Sequence, residues 1–399
     1  MIEDLESIAT GRHRSLFQDD LEAHRQELKA VYASKRVAII GAAGSVGSAV
    51  TKQILQHAPA AVALLDLSEN NLTEVVRDLR STEGCMLPAE FSSIPIGLGS
   101  VECSRYFKET AAFDVVFNLS AIKHVRSEKD VYSLIRMINT NVVFPDRFLR
   151  DIPYALAKFF SVSSDKATNP ANLMGASKMV MEDVLLQHSY RHPISSARFA
   201  NVAFSDGSLP FGFLRRMDKK QPLSAPRDVR RYFISHEEAG QLCILSAGLG
   251  GNREVFFPRM EERLQAHTFS DIAVRMLEKL GYEPVVCASE EEARKRAKEL
   301  ISSRRWPCFF FDSDTTGEKD LEEFHALEDR LDLKRFLKIG VIQRELDPKR
   351  SEAVREFVSF SEKLSGKFSI SKSEIVEAFK RAVPELRHLE TGKNLDQKM

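Results

Sequence analysis

Arg36-Val37-Ala38-Ile39-Ile40-Gly41-Ala42-Ala43-Gly44-Ser45-Val46-Gly47, RVAIIGAAGSVG, is the stretch that decides the fold. Arg36–Ile40 is a short run rich in β-branched residues and reads as a buried strand. Glycines follow it at i, i+3 and i+6, and a helical pattern continues through Ile54-Leu55. A glycine-rich turn alone is weak evidence, but between a strand and a helix it marks a dinucleotide site. Its glycines let backbone N–H groups approach a pyrophosphate at a helix N-terminus, where the dipole favours anions. Gly41, Gly44, Ser45, Val46 and Gly47 are therefore the expected cofactor contacts, against the plainer reading of a tight turn without ligand.

The next strand, Ala61–Leu65, ends in Asp66, 19 residues past Gly47. An acid at that place accepts from the adenine ribose hydroxyls and repels the extra phosphate of NADP. The turn Leu67-Ser68-Glu69-Asn70 offers no Arg to welcome that phosphate, so NAD is expected over NADP, with Ser68 beside Asp66. A solvated strand-end Asp is the bland alternative. Asp114–Ala121 is a third strand, and small Ser120 and Ala121 at its end suit a cofactor lying outside the strand ends. Lys123 and His124 follow as candidate substrate contacts, although a lone His is more often structural. Asn141 could bond a neighbouring strand or the active-site Lys. Phe159–Ser164 is a further strand, ending at Asp165-Lys166. Alternating α and β elements predict an α/β chain, a Rossmann-type doubly wound parallel sheet with a smaller C-terminal substrate-binding lobe.

The 399 residues suffice for one large core or two domains, and the composition, 43% hydrophobic and 29% charged, is that of a globular protein. We expect a helical N-terminal arm over 1–35, an NAD-binding Rossmann domain over 36–250, and a mixed α/β and helical substrate lobe with a C-terminal tail over 251–399. Segments around 200–235 are also expected at the substrate site. Lys+Arg and Asp+Glu both number 57, which argues against a general binder of nucleic acid or membrane surface. Five scattered cysteines without a CxxC fit neither a zinc site nor a disulfide framework, so no metal is expected. The acidic N-terminus is no signal peptide, and no apolar run approaches the ~18 residues of a membrane span. A cytoplasmic protein is expected. Glu290–Arg305 reads as a solvated helix with i,i+4 ion pairs, and Trp306–Phe311 as a strand of the smaller lobe.

Ser161–Lys178, SVSSDKATNPANLMGASK, places Asp165 beside Lys166 and puts Met174 four residues before Lys178, on one helical face. Together with Gly41–Gly47, Ser120–Val125 (SAIKHV), Arg198–Val202 (RFANV), Arg231–Ser235 (RYFIS) and Thr316–Glu323 (TGEKDLEE), it resembles the extended short-chain dehydrogenase/reductases that act on nucleotide sugars. Among them the chain is most similar to the UDP-N-acetylglucosamine 4,6-dehydratases of bacterial polysaccharide and glycan biosynthesis. The resemblance covers roughly residues 10–388, and the chain looks like the catalytic part of the larger, membrane-anchored members. It departs from the pattern at four places. Met174 holds the usual Tyr position, as it does in the larger members, and Ala200 replaces a Gly. Leu98 stands where many relatives have an Asp near the adenine, and Thr315 where they have an Arg expected to touch the nucleotide.

The resemblance implies a three-step reaction: oxidation of the sugar at C4 by NAD, loss of water across C5 and C6, and return of the hydride to C6, giving a 4-keto-6-deoxy sugar. It gives Lys166 the C5 proton and Asp165 the leaving hydroxyl, with Lys178 on the nicotinamide ribose. A free Lys titrates near ~10.4. Lys178 and the positive nicotinamide would depress Lys166, and bringing it from there to near neutrality takes about 4 kcal/mol. A thioether carries no proton, so Met174 is expected to pack against nicotinamide or sugar. Asp165, relayed by Ser164 or a water, is then the expected C4 base. Asn201 and Arg231 are the expected diphosphate contacts, against a surface ion pair for Arg231, and Glu318 either reaches the nucleotide ribose or caps the helix from Asp320 onward. A homo-oligomer is expected by resemblance only. An epimerase or oxidoreductase on the same scaffold, or a non-catalytic NAD-binding protein, are the alternatives.

Overall fold

In the computed structural model, residues 2–260, 266–313, 321–366 and 369–388 are described. Six strands, β1 (Arg36–Ile40), β2 (Ala61–Leu65), β3 (Glu90–Ile94), β4 (Val115–Asn118), β5 (Lys158–Ser164) and β6 (Ile194–Phe199), pair in parallel in the order β3-β2-β1-β4-β5-β6. All but β3 are almost wholly buried, which is why β1, β2 and β4 read as near-continuous apolar runs, while β5 and β6 bury serines and, in β6, Arg198. Glu254–Pro258 joins β6 in parallel, and Ile339–Gln343 and Leu331–Asp332 extend that edge antiparallel. The strand order reverses between β1 and β4, which opens a crevice at their carboxyl ends.

Helices cover both faces. Ser45–Leu55 packs against His236–Leu249 at close range, because a Cβ on Gly240 would lie 2.9 Å from the Ala49 carbonyl carbon. The arm helices Ile2–Thr10, Gln18–Ala23 and Arg25–Tyr32 are stitched to this layer. The Tyr32 hydroxyl donates to the Ile244 carbonyl (2.6 Å), and Arg12 forms a two-point ion pair with Glu238 (2.6 and 3.0 Å). On the other face, helix Leu173–His188 has 13 of its 16 residues buried, so it lies between the sheet and further helices rather than facing solvent. Pro348–Glu362 and Lys372–Ala382 complete that enclosure through Val354, Phe357, Ile375 and Phe379.

A three-stranded parallel sheet stands apart, with Arg305–Phe311 between Glu283–Val286 and Leu223–Pro226. Its core gathers Trp306, Met276, Leu277 and Phe213. Helix Glu290–Ser302 carries the expected i,i+4 pairs, Glu290–Arg294 among them at 2.8 Å, while Ala293, Ala297 and Leu300 bury its other face. Short pairings of Asn201–Val202 with Phe233–Ile234, and of Arg230–Arg231 with His267–Thr268, tie this unit to the end of β6. Among the described residues, no helix is long and apolar enough to cross a membrane.

Candidate active site

The glycine turn closes the crevice from one side. Gly41 has φ +83°, and a Cβ there would meet the Ser120 amide at 2.7 Å, so the β1 and β4 exits touch. A Cβ on Gly47 would lie 2.1 Å from the Gly41 oxygen. Gly44 differs: a Cβ there would find nothing nearer than the Gly41 oxygen, at 3.7 Å. Protein packing therefore explains Gly41 and Gly47, and leaves the open face of Gly44 to a ligand. Helix Ser45–Leu55 starts at this glycine, which has no side chain to cap it, whereas Ser68, Ser100, Asp130, Asn172 and Ser208 cap the helices that follow them. These features fit a dinucleotide pyrophosphate.

Asp66 accepts from the Ala43 amide and the Ser68 amide, both at 2.9 Å, which fixes its carboxylate between the glycine turn and the next helix. Ser68 spends its hydroxyl on capping that helix at the Asn71 amide. Leu98 is buried with Ile40 and Leu65. The Ser45 hydroxyl donates to Asp206 (3.2 Å) and accepts from the Asp206 amide (3.0 Å), a link to the loop after β6 with no local sequence signal.

Beyond β4, the Ser120 amide donates to Asn118 (3.3 Å), and Ala121 packs on the main core. Asn141 accepts from the Ile122 amide and donates to the Ile122 carbonyl and the Ser177 hydroxyl, all at 2.9 Å. It thus holds the post-β4 loop against the helix that carries Lys178. Lys123 reaches the Ser205 hydroxyl (3.4 Å); burial lowers its proton affinity, with Asp206 opposing. His124 lies against Gly207, where a Cβ would come within 2.8 Å of its Nε2, and burial followed by Lys123 and Arg126 lowers its pKa.

The end of β5 gathers the proton carriers. Asp165 is 7% exposed and accepts from the Ser164 hydroxyl (2.7 Å) and from Lys166 Nζ (3.2 Å). Helix Leu173–His188 presses on this turn: a Cβ on Gly175 would lie 2.3 Å from the Lys166 carbonyl oxygen, so the GASK glycine is a contact glycine. Lys178 is 2% exposed and donates to the Val162 carbonyl (2.9 Å). Burial brings its pKa down to about 8, with Glu182 one turn on opposing the fall. Met174 is buried in the apolar cluster with Leu134, Met137 and Val142, and its amide donates to Glu128 (2.8 Å).

Arg231 and Asn201 converge on a residue without a local sequence signal of its own. Glu322, with a side chain 2% exposed, accepts from Asn201 Nδ2 and from the Tyr232 amide (3.2 Å), and Arg231 Nε lies 3.9 Å away. Burial, then the Asp165 charge, raises Glu322 to about 7, against the pull of Arg231. The stretch TGEKDLEE holds both Glu318 and Glu322; Glu318 lies outside the described residues. Behind the site, buried Arg198 makes a two-point pair with Glu182 (2.7 and 3.0 Å) and donates to Thr168 (3.0 Å) and the Phe324 carbonyl (2.8 Å). Burial pushes Glu182 up, but Arg198 and Arg344 outweigh it and hold the carboxyl at about 2.

Residues 37–300 match the polysaccharide biosynthesis protein family. The chain is 27% identical over 267 residues to the uncharacterized membrane protein MJ1061 of Methanocaldococcus jannaschii, across 65% of this chain and 77% of that one. It is 25% identical over 316 residues to the probable polysaccharide biosynthesis protein EpsC of Bacillus subtilis, across 73% of this chain but only 51% of that one, about half its length. The X-ray structure of Pen from Bacillus thuringiensis shares the fold, with a TM-score of 0.63 at 20% identity, over 87% of this chain and 97% of that one. The chain belongs to the polysaccharide biosynthesis protein family, built on an extended short-chain dehydrogenase/reductase scaffold.

Proposed function

We propose that the chain is a nucleotide-sugar 4,6-dehydratase that uses NAD and converts UDP-N-acetylglucosamine, or a similar nucleoside-diphosphate hexose, to a 4-keto-6-deoxy sugar for glycan or modified-sugar synthesis. The observation that carries this reading is the Ser164–Asp165–Lys166 cluster. A carboxylate, a hydroxyl 2.7 Å from it and an amine 3.2 Å from it stand side by side at a strand end. An elimination needs such a base-and-acid pair at neighbouring carbons. Gly41–Gly47 and Asp66 would hold the NAD, and Lys178 its nicotinamide ribose. When bound, NAD supplies reversible hydride acceptance.

The residues then divide the protons. Asp165, through the Ser164 hydroxyl, takes the proton of the C4 hydroxyl and later delivers it to the hydroxyl leaving C6. Lys166 takes the C5 proton, made acidic by the C4 ketone, and returns it to C5 at the end. Each group finishes as it began, and one water is lost. Met174 has no part in proton transfer and keeps the helix packed. The sugar would lie between the strand ends and the segments 200–235, with Lys123, His124, Asn201 and Arg231 lining its path.

Purified protein with NAD and a nucleotide-sugar panel headed by UDP-N-acetylglucosamine tests this by mass. Loss of one water supports it. Isomerisation without mass change assigns an epimerase instead, and binding without turnover assigns a non-catalytic protein. An Asp165→Asn variant that still reduces bound NAD on mixing with substrate removes Asp165 as the C4 base.

A further inference from the structure

The loop that follows β6 leaves the smaller lobe and returns to it. Ala203 and Phe204 are buried in that lobe's core with Phe213, Leu223 and Trp306, and Ser208 caps the helix Leu209–Asp218 at the Phe211 amide (3.3 Å). The three residues between them lie on the larger sheet instead. The Ser205 hydroxyl accepts from Lys123 Nζ (3.4 Å). Asp206 holds the Ser45 hydroxyl from two sides: its amide donates to the oxygen (3.0 Å), and its carboxylate accepts the proton (3.2 Å). Gly207, at φ +74°, lies against the His124 ring, where a Cβ would come within 2.8 Å of Nε2. Phe204 takes φ +52°, a left-handed conformation that a bulky residue keeps only where its surroundings impose it. Residues 205–207 are thus a strap from the smaller lobe, fastened to the first residue of the glycine-turn helix and to the loop after β4.

We propose that Asp206 is a latch that competes with the cofactor diphosphate for the Ser45 hydroxyl, so that cofactor binding unfastens the strap. Ser45 opens a helix whose N-terminus has no side-chain cap, next to the open face of Gly44. The helix dipole favours the Asp206 carboxylate there just as it favours a phosphate, and the two anions repel when both are present. Asp206 is exposed, so the displaced carboxylate passes directly into water. Its charge also favours the ammonium of Lys123, the cation towards which it turns on release. The strap holds Lys123 and His124 as well, so unfastening it frees both for a sugar nucleotide, and the cofactor binds first. That order rests on the reading of Lys123 and His124 as substrate contacts. The latch needs only the reading of Gly41–Gly47 as the cofactor turn.

The full chain is tested with ADP, a diphosphate probe without the nicotinamide, and with adenosine, which lacks the charge. In titrations at low salt, Asp206→Asn is expected to bind ADP and NAD about five- to tenfold more tightly than the natural protein, a gain that shrinks as salt rises, with adenosine unchanged. Hydrogen exchange over residues 203–208 of the natural protein should quicken on saturation with ADP, because the Asp206 amide loses its acceptor; in Asp206→Ala it should be fast with and without ADP. Equal or weaker ADP binding by Asp206→Asn, an equal gain for adenosine, or exchange that ADP leaves unchanged or slows in the natural protein overturns the proposal. If ADP binds both proteins equally, the latch alone falls; if neither ADP nor NAD binds either protein, the cofactor reading of Gly41–Gly47 falls with it.

Discussion

Replacing Lys178 with Met should make the folded protein more stable at neutral pH while it removes function. The ammonium is 2% exposed, and burial lowers its pKa from 10.5 to about 8. Each pKa unit is worth about 1.4 kcal/mol, so charging Lys178 costs the folded state about 3 kcal/mol at pH 7. The folded pKa lies below the unfolded one, so the cost is complete below about 8 and is relieved as pH rises from there towards 10.5. Met carries no charge and fills nearly the same volume, but it forfeits the bond to the Val162 carbonyl, worth about 1 kcal/mol. The net expectation is a gain of about 2 kcal/mol at pH 7. Spread over 399 residues, that raises Tm by about 2 °C. Urea unfolding of the cofactor-free protein and variant at pH 7 and near the upper end of that window is the assay. The advantage should shrink towards alkaline pH, and NAD binding should be lost at both. A variant no more stable than its parent at pH 7, or one whose advantage is independent of pH, refutes the reasoning. The first result would mean that the charge is solvated or paired more fully than its burial implies.

Gly47→Ala should lose both NAD binding and about 3 kcal/mol of stability, since its Cβ would sit 2.1 Å from the Gly41 oxygen; calorimetry reads it. Gly44→Ala, with 3.7 Å of clearance, should keep stability to within about 1 kcal/mol and still lose NAD affinity by titration. Arg198→Met breaks a buried pair and should cost about 3 kcal/mol in urea unfolding, with Arg344 still attending Glu182. The folded pKa of Glu322 is raised from 4.5 to about 7, so its stabilising proton is fully present below 4.5 and is lost as pH rises through 7. Glu322→Gln should flatten the stability curve across that window by up to about 3 kcal/mol.

Four strands of the parallel sheet were legible because each is a local signal, whereas β3 (EFSSI) and β6 (ISSARF) carry too few apolar residues to announce themselves. RVAII, AVALL and DVVFN are apolar runs closed by a glycine, an acid or small residues, and the glycine spacing places the cofactor crevice beside them. The Ser164–Lys166 cluster was legible for the same reason, being contiguous. The features that were not legible depend on distant pairs. Glu322 acquires its character from Asn201, 121 residues away, and Glu182 from Arg198 and from Arg344, 162 residues away. No short window of sequence contains Glu322 with Asn201, or Glu182 with Arg344. The antiparallel strands Leu331–Asp332 and Ile339–Gln343 return to the main sheet after a long excursion, and their shortness gives little periodicity to read. Met174 and Lys178 are four residues apart and share a helical face. Yet Lys178 reaches the Val162 carbonyl while Met174 is packed among Leu134 and Met137, a division that only the surrounding helices decide.

One buried carboxylate lies behind most of this chemistry. Glu182 accepts from Ser163 on β5 (2.6 Å), pairs with Arg198 on β6, receives Arg344 (3.1 Å), and sits one turn from Lys178 on the same helix. Its neighbour Asp183 carries the chain of charges on to Arg344 (2.8 Å) and Arg350 (2.6 Å), and Arg350 to Glu385 (2.6 Å). An apolar core would hold these elements together at least as well, because desolvating so many ions offsets much of their attraction. What apolar packing cannot do is fix orientation. Each arm of Arg198 has a defined acceptor, so β6, Thr168 and Phe324 are held in one mutual register. The same Glu182 charge keeps Lys178 from losing still more of its proton affinity in a fully buried site. The network is therefore better understood as an alignment device for the turn after β5 and the helix that carries Lys178 than as a source of stability, which is why its loss should be felt in activity as well as in unfolding.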